Sequence, residues 1–193
     1  MSTGILGGVF DPPHNGHLAL ARAAIEHFGL DRLLVLVAAR PGHKGVVLDG
    51  PTRLRLARAA FAGLPGAEIS LDDHPFTIDL VEGGRFRDAR FILGADELAA
   101  FSSWKEPERV LDEVRLAVGT RPGHPRALLD AVIAKLRRPD RIELFELVEP
   151  LEIASTEIRE RAARGEPIDH LVPVPVAELI SARRLYRPER QLD

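Results

Sequence analysis

The chain has 193 residues, 45% of them apolar and 28% charged, proportions that suit a globular chain with a complete core and exclude general disorder. A net charge of −3 excludes a general polyanion binder, so nucleic acid is not an expected partner and any nucleotide site must concentrate positive potential locally. The absence of cysteine removes disulfides and thiolate chemistry and fits a reducing compartment. Met1-Ser2-Thr3-Gly4 offers neither a basic leader nor a long apolar stretch, and the apolar run 33–39 is far too short to span a bilayer, so a cytoplasmic location without a membrane partner is expected. No linker composition or internal repeat divides the chain, which reads as a single domain over 1–193.

In chain order, the apolar run Ile5-Leu6 breaks at Gly7-Gly8 into Val9-Phe10-Asp11-Pro12-Pro13-His14-Asn15-Gly16-His17, and a helical pattern then begins. The two glycines permit a tight strand-to-helix turn and close approach of a ligand, while the N–H groups and dipole of the helix attract anions. His14 and His17, with Gly16 leaving space between them for a phosphate, can bring two imidazole donors to one mouth. Leu18, Ala21, Ile25 and Phe28 recur at helical spacing, and Gly29 is the expected stop. Residues 33–37 read as a buried strand, 40–51 as a Gly/Pro-punctuated loop, and Leu54, Ala57 and Phe61 as the stripe of a second helix. Further strands are expected at 68–71, 90–93, 115–118 and 143–147, with helices at about 125–136, 155–164 and 176–184. Strands alternating with helices predict an α/β fold around a parallel sheet of five or six strands.

A second chemical constellation is Ile153-Ala154-Ser155-Thr156-Glu157-Ile158-Arg159, where two hydroxyls stand at a helix start and Arg159 lies one turn on, an arrangement able to grip phosphate. Alone, Ser155 or Thr156 reads as an ordinary N-cap and Arg159 as a solvated charge. Together with the first block it resembles the nucleotidyltransferase superfamily: residues 8–17 fit every fixed position of the GxFDPxHxGH signature, and 153–159 resemble the ISSTxIR element with Ala154 in place of the usual first Ser. Over 7–186 the chain is similar to bacterial nicotinate mononucleotide adenylyltransferases. Pro41-Gly42-His43-Lys44 resembles the PPHK loop, Phe76-Thr77-Ile78-Asp79 the YTxD segment, and Leu93-Gly94-Ala95-Asp96 with Trp104 the GxD and W block. Arg121-Pro122-Gly123, Leu171-Val172-Pro173 and Leu185-Tyr186 also match. Departures are Val9 for Thr, Gly42 for Pro, Phe76 for Tyr, Leu80 for Thr, and Lys105 where Tyr often follows Trp.

The resemblance implies a Rossmann-like three-layer α/β fold with a mainly parallel sheet and a C-terminal helical segment. It also implies a reaction: the 5′-phosphate of nicotinate mononucleotide attacks the α-phosphorus of ATP, giving nicotinate adenine dinucleotide and pyrophosphate. That nucleophile is already ionised near neutral pH, so positioning and stabilisation of phosphoryl charge suffice. In the implied roles His14 and His17 are catalytic donors. Gly7, Gly8, Phe10, His17, Asp96, Arg121, Ser155, Thr156 and Arg159 are expected at ATP, and His43, Lys44, Thr77, Trp104 and Lys105 at the mononucleotide. Mg²⁺ is expected with ATP, held by phosphate oxygens and water rather than by protein ligands. Oligomeric state is left open, as are three alternatives: a pantetheine-phosphate adenylyltransferase, a cytidylyltransferase, and a catalytically silent nucleotide sensor. Trp104 and the block before it disfavour the first two, and retention of both histidines disfavours the third. The lack of GxGxxG and GxxxxGK[ST] patterns disfavours a dehydrogenase or a P-loop NTPase.

Overall fold

The computed structural model describes residues 1–41, 45–120, 126–147 and 151–187. Six strands form one sheet: β1 (Thr3–Gly8), β2 (Arg32–Ala38), β3 (Ala67–Asp72), β4 (Arg90–Gly94), β5 (Arg115–Thr120) and β6 (Ile142–Glu146). Their order is β3-β2-β1-β4-β5-β6 and every pairing is parallel. The chain therefore winds outward first through β2 and β3, then returns to the other side of β1 for β4 to β6. The crevice between β1 and β4, where the winding reverses, is where open α/β sheets receive ligands.

Alternation along each strand sends neighbouring side chains to opposite faces, and both faces are apolar. Leu6, Leu33, Val35, Val37, Ile92 and Ala117 pack with Phe145 under α1 (Asn15–Phe28), α2 (Gly50–Phe61), α7 (Ser155–Arg164) and α8 (Val174–Ala182). Ile5, Leu34, Leu36, Phe91, Leu93, Leu116 and Val118 face α3 (Thr77–Val81), α4 (Ala95–Ala99), α5 (Pro107–Glu113) and α6 (Arg126–Ile133). This is the expected three-layer fold, with six strands. Each fully buried Leu, Ile or Phe contributes roughly 1.5–3 kcal/mol over an exposed one, so the two apolar layers dominate what holds the helices on the sheet.

The element ends depart from the sequence reading for identifiable reasons. β1 does not stop at Gly7: it stays in register with β2 as far as Gly8 opposite Val37. Helix α2 starts at Gly50, inside the expected loop, because the Asp49 carboxylate caps Thr52 N–H at 2.8 Å and Pro51 occupies the first turn, where a missing N–H costs nothing. Likewise α8 begins at Val174 with Pro175 in its first turn and ends at Ala182, before Arg184 turns to φ 52°. The α6 helix stops at Ile133, three residues short of expectation. The short helices α3, α4 and α5 were not foreseen, being too brief to show a 3.6-residue period. No helix among the described residues is long and apolar enough to cross a membrane.

Candidate active site

The site lies at the carboxyl edge of the sheet, where β1 delivers the chain into the start of α1. The turn is made by Phe10, held at φ 52°, and not by the glycines before it. Those glycines serve close packing instead. A Cβ on Gly8 would stand 2.8 Å from the Phe10 ring, and one on Gly7 would stand 3.1 Å from Phe91 Cζ. Phe10 is buried against Phe61, with ring centroids 5.5 Å apart, and the edge-on His17 ring lies 5.1 Å away. Gly8, Phe10 and His17 thus form one stack.

His14 is the N-cap residue of α1, and its ring lies over His17 at 3.7 Å between centroids. The His14 backbone N–H donates to His17 Nδ1 at 3.2 Å. In the neutral ring that bond places the His17 proton on Nε2, away from its own helix. His14 is 9% exposed, and burial pulls its pKa from 6.5 to about 4, so its ring is neutral at physiological pH and supplies one donor. Its Nδ1 is buried without a hydrogen-bond partner. Gly16 has a different use from the expected one: a Cβ there would lie 3.1 Å from His14 Nδ1, so its bareness accommodates the His14 ring and not a gap between the imidazoles. At the helix start Asn15 N–H is taken by Leu171 O at 2.9 Å and His17 N–H turns back to His14 O at 3.0 Å.

Helix α7 abuts this mouth. Ser155 Oγ donates to Pro12 O at 2.9 Å, and Arg159 donates to Asp11 O at 2.8 Å and to Thr156 Oγ1 at 3.1 Å. Of the three expected phosphate-side residues, Ser155 and Arg159 therefore bond to the histidine turn and brace it, and Thr156 is joined to it through Arg159. Ala154 stands at the N-cap and provides no side-chain cap. The N-cap side chain therefore does not compete for the first N–H groups of α7. Asp96 is exposed in the first turn of α4, at the end of β4 on the same edge of the sheet.

The expected mononucleotide residues form a second group. Lys105 Nζ pairs with Asp79 Oδ1 at 2.9 Å and lies 4.6 Å over the Phe76 ring, so the Thr77 segment and the Trp104-Lys105 segment meet. Trp104 is half-buried, edge-on to Phe91 at 5.9 Å and tilted on Phe101 at 5.1 Å. Phe91 also stands beneath Gly7, so this single ring links Trp104 to the phosphate-side strand. His43, Lys44 and Arg121 lie outside the described residues. No group of three His, Asp or Glu side chains among the described residues is placed to hold a metal.

Three residues behind the site went unassigned from sequence: Asp11, Arg53 and Tyr186. Asp11 is 2% exposed and accepts Val47 N–H at 2.6 Å and Tyr186 OH at 2.8 Å. Burial beside that carboxylate pushes the Tyr186 phenol above its ordinary pKa. Arg53 is 1% exposed and donates to the carbonyls of Val9, Ala38, Ala39 and Leu48. Asp11 stands in the quoted signature, and Arg53 shares the inward face of α2 with Leu56, Ala57 and Ala60, but its charge marks it as a surface residue in the sequence.

Residues 5–161 match the cytidylyltransferase-like family. A Bordetella avium protein named a probable nicotinate-nucleotide adenylyltransferase is 37% identical over 96% of this chain and 98% of its own length. A Rubrobacter xylanophilus protein of the same name is 34% identical over 98% and 94%. Among solved structures, the Plasmodium falciparum nicotinic acid mononucleotide adenylyltransferase complexed with APC superposes with a TM-score of 0.76 at 17% identity, covering 96% of each chain. That likeness concerns the fold.

Proposed function

The chain belongs to the nicotinate-nucleotide adenylyltransferase family, within the cytidylyltransferase-like proteins, and we propose that its two-histidine turn is where the adenylyl group passes from ATP to nicotinate mononucleotide in NAD biosynthesis. One observation carries this placement: Ser155, the first residue of α7, donates to Pro12 O at 2.9 Å, which sets that helix start against the turn that carries His14 and His17. His17 donates through Nε2 toward the charge that develops on the α-phosphoryl group. Arg159, Thr156 and the first amides of α7 receive the β- and γ-phosphates that leave as pyrophosphate. The nucleotide runs across the end of β1, over the main chain of Gly7 and Gly8, and Asp96 faces a ribose from the first turn of α4. Phe10 contributes by holding His17.

The pyridine ring lies against Trp104, on the side where the Phe76-Thr77 segment meets Lys105, with His43 and Lys44 assigned to its phosphate and Arg121 to ATP on the family pattern alone. Mg²⁺ enters as part of the nucleotide substrate, its ligands being phosphate oxygens and water. Pyrophosphate release measured with ATP and, in turn, nicotinate mononucleotide, nicotinamide mononucleotide and phosphopantetheine tests the assignment. The nicotinate substrate should give the highest kcat/KM. A higher value with phosphopantetheine would place the chain's acceptor elsewhere in the superfamily, and equal use of the amide would remove the claim of acid selectivity.

A further inference from the structure

The buried polar group behind the mouth has no part in the chemistry above, yet its two charged side chains, Asp11 and Arg53, are buried and each holds several partners. Arg53 Nε reaches Leu48 O at 3.0 Å, its two terminal nitrogens reach Val9 O, Ala38 O and Ala39 O at 2.8, 2.8 and 3.2 Å, and its acceptors are all main-chain carbonyls. It therefore ties the end of β2 and the exit of β1 to the chain that enters α2. Asp11 does the same from the other side. Its Oδ2 accepts Val47 N–H at 2.6 Å and Leu48 N–H at 3.4 Å, its Oδ1 accepts Tyr186 OH, and its carbonyl accepts Arg159 at 2.8 Å.

Burying ions is weak ground for stability, since apolar side chains of similar volume do as well or better. What the charges supply here is placement. Val46 and Val47 are 42% and 62% exposed, so apolar packing does not fix them; Leu48 packs on the core with its carbonyl held by Arg53, and the bonds from the Val47 and Leu48 amides to Asp11 tie this end of the loop to the histidine turn. The stretch directly follows the Pro41-Gly42-His43-Lys44 block in sequence, which the family pattern puts on the mononucleotide side. We propose that Asp11 is a positioning residue, backed by Arg53 and Tyr186, that latches residues 46–48 to the histidine turn and so sets the mononucleotide end of the site in register with the phosphate end. The proposal rests on the functional reading above for which substrate is affected, but the latch itself does not.

The test is Asp11→Asn in the full chain, which keeps the shape and removes the charged acceptor. KM for nicotinate mononucleotide should rise about tenfold or more, with KM for ATP within about twofold and kcat within about threefold. Hydrogen exchange should quicken selectively at the Val47 and Leu48 amides while Val35, in the middle of β2, stays as protected as in the parent. Tyr186→Phe deletes one oxygen and serves if the first variant does not fold; it should move the same KM and the same two amides in the same direction by a smaller factor. Parent-like KM and exchange in the folded variant would overturn the latch, and so would an equal rise of both KM values with unchanged exchange at Val47 and Leu48. A parent protein that does not use nicotinate mononucleotide would instead count against the functional reading, leaving the exchange measurement to decide on the latch.

Discussion

The buried His14 makes a quantitative demand on stability. In the unfolded chain its imidazole takes up a proton below 6.5, whereas in the fold it stays neutral down to about 4 because burial disfavours the cation. Between those values the unfolded state binds the extra proton, so this group's contribution to stability is lost as pH falls through that window and is fully present above it. At about 1.4 kcal/mol per pH unit the whole effect is about 3 kcal/mol, of which roughly 2.5 kcal/mol is already lost near pH 4.5. His14→Asn keeps a residue suited to an N-cap and removes the titrating ring. Urea unfolding of parent and variant near pH 7.5 and near pH 4.5 isolates the term, because every other group titrates in both proteins and cancels in the difference. The parent should lose about 2.5 kcal/mol more than the variant on acidification. Parallel losses, with a difference under about 0.5 kcal/mol, would mean that His14 is not a buried neutral imidazole. Nucleotide binding acts in the opposite sense: phosphate oxygens beside the ring favour its cation. Calorimetry near pH 5.5 in buffers of different ionisation enthalpy should therefore show proton uptake on binding ATP.

Three substitutions probe the rest of the site. Gly8→Ala places a methyl 2.8 Å from the Phe10 ring, and because Phe10 carries His17, thermal unfolding should show a loss of about 1–3 kcal/mol together with reduced kcat. Arg159→Ala should weaken ATP and pyrophosphate affinity by about tenfold in calorimetric titration while leaving the mononucleotide within about twofold; selective loss of the mononucleotide would place Arg159 on the wrong substrate. Lys105→Ala uncovers the Asp79 carboxylate beside the proposed ring pocket, so the ratio of nicotinate to nicotinamide kcat/KM should fall about three- to tenfold, and an unchanged ratio would mean that the pair does not face the ring carboxylate.

Much of the fold was legible because it is written in long patterns. Five short β-like runs and five helical patterns of the sequence fall on β2 to β6 and on α1, α2, α6, α7 and α8, since the inner strands β2, β4 and β5 are near-continuous apolar runs, the edge strands β3 and β6 alternate apolar with polar residues, and these helices each turn an apolar face to the sheet. Ends were less legible, because caps decide them: Asp49 and Pro51 pull the start of α2 forward, and Pro175 fits the first turn of α8. The signature glycines show how a correct motif can carry an incorrect local mechanism. Gly7 and Gly8 are strand residues whose bareness admits Phe91 and Phe10, and the turn falls to Phe10 itself. Arg53 was illegible for a further reason: periodicity identifies which face of α2 points inward, but not that a charged residue on that face finds four carbonyls waiting at the ends of two strands and a loop. Such acceptors exist only once the sheet is formed.

Formation of nicotinate adenine dinucleotide from ATP and nicotinate mononucleotide, followed chromatographically for the parent and for His17→Ala side by side, bears most directly on the role of the two-histidine turn. In the role proposed for it, His17 donates from a ring whose tautomer is set by the His14 backbone N–H at 3.2 Å, so the parent should form the dinucleotide while the folded variant turns over about 10²-fold or more slowly, with its affinity for ATP changed by less than about fivefold. A variant that retained turnover within about twofold of the parent would remove His17 from the transition state, and a parent that formed no dinucleotide would contradict the assigned reaction itself.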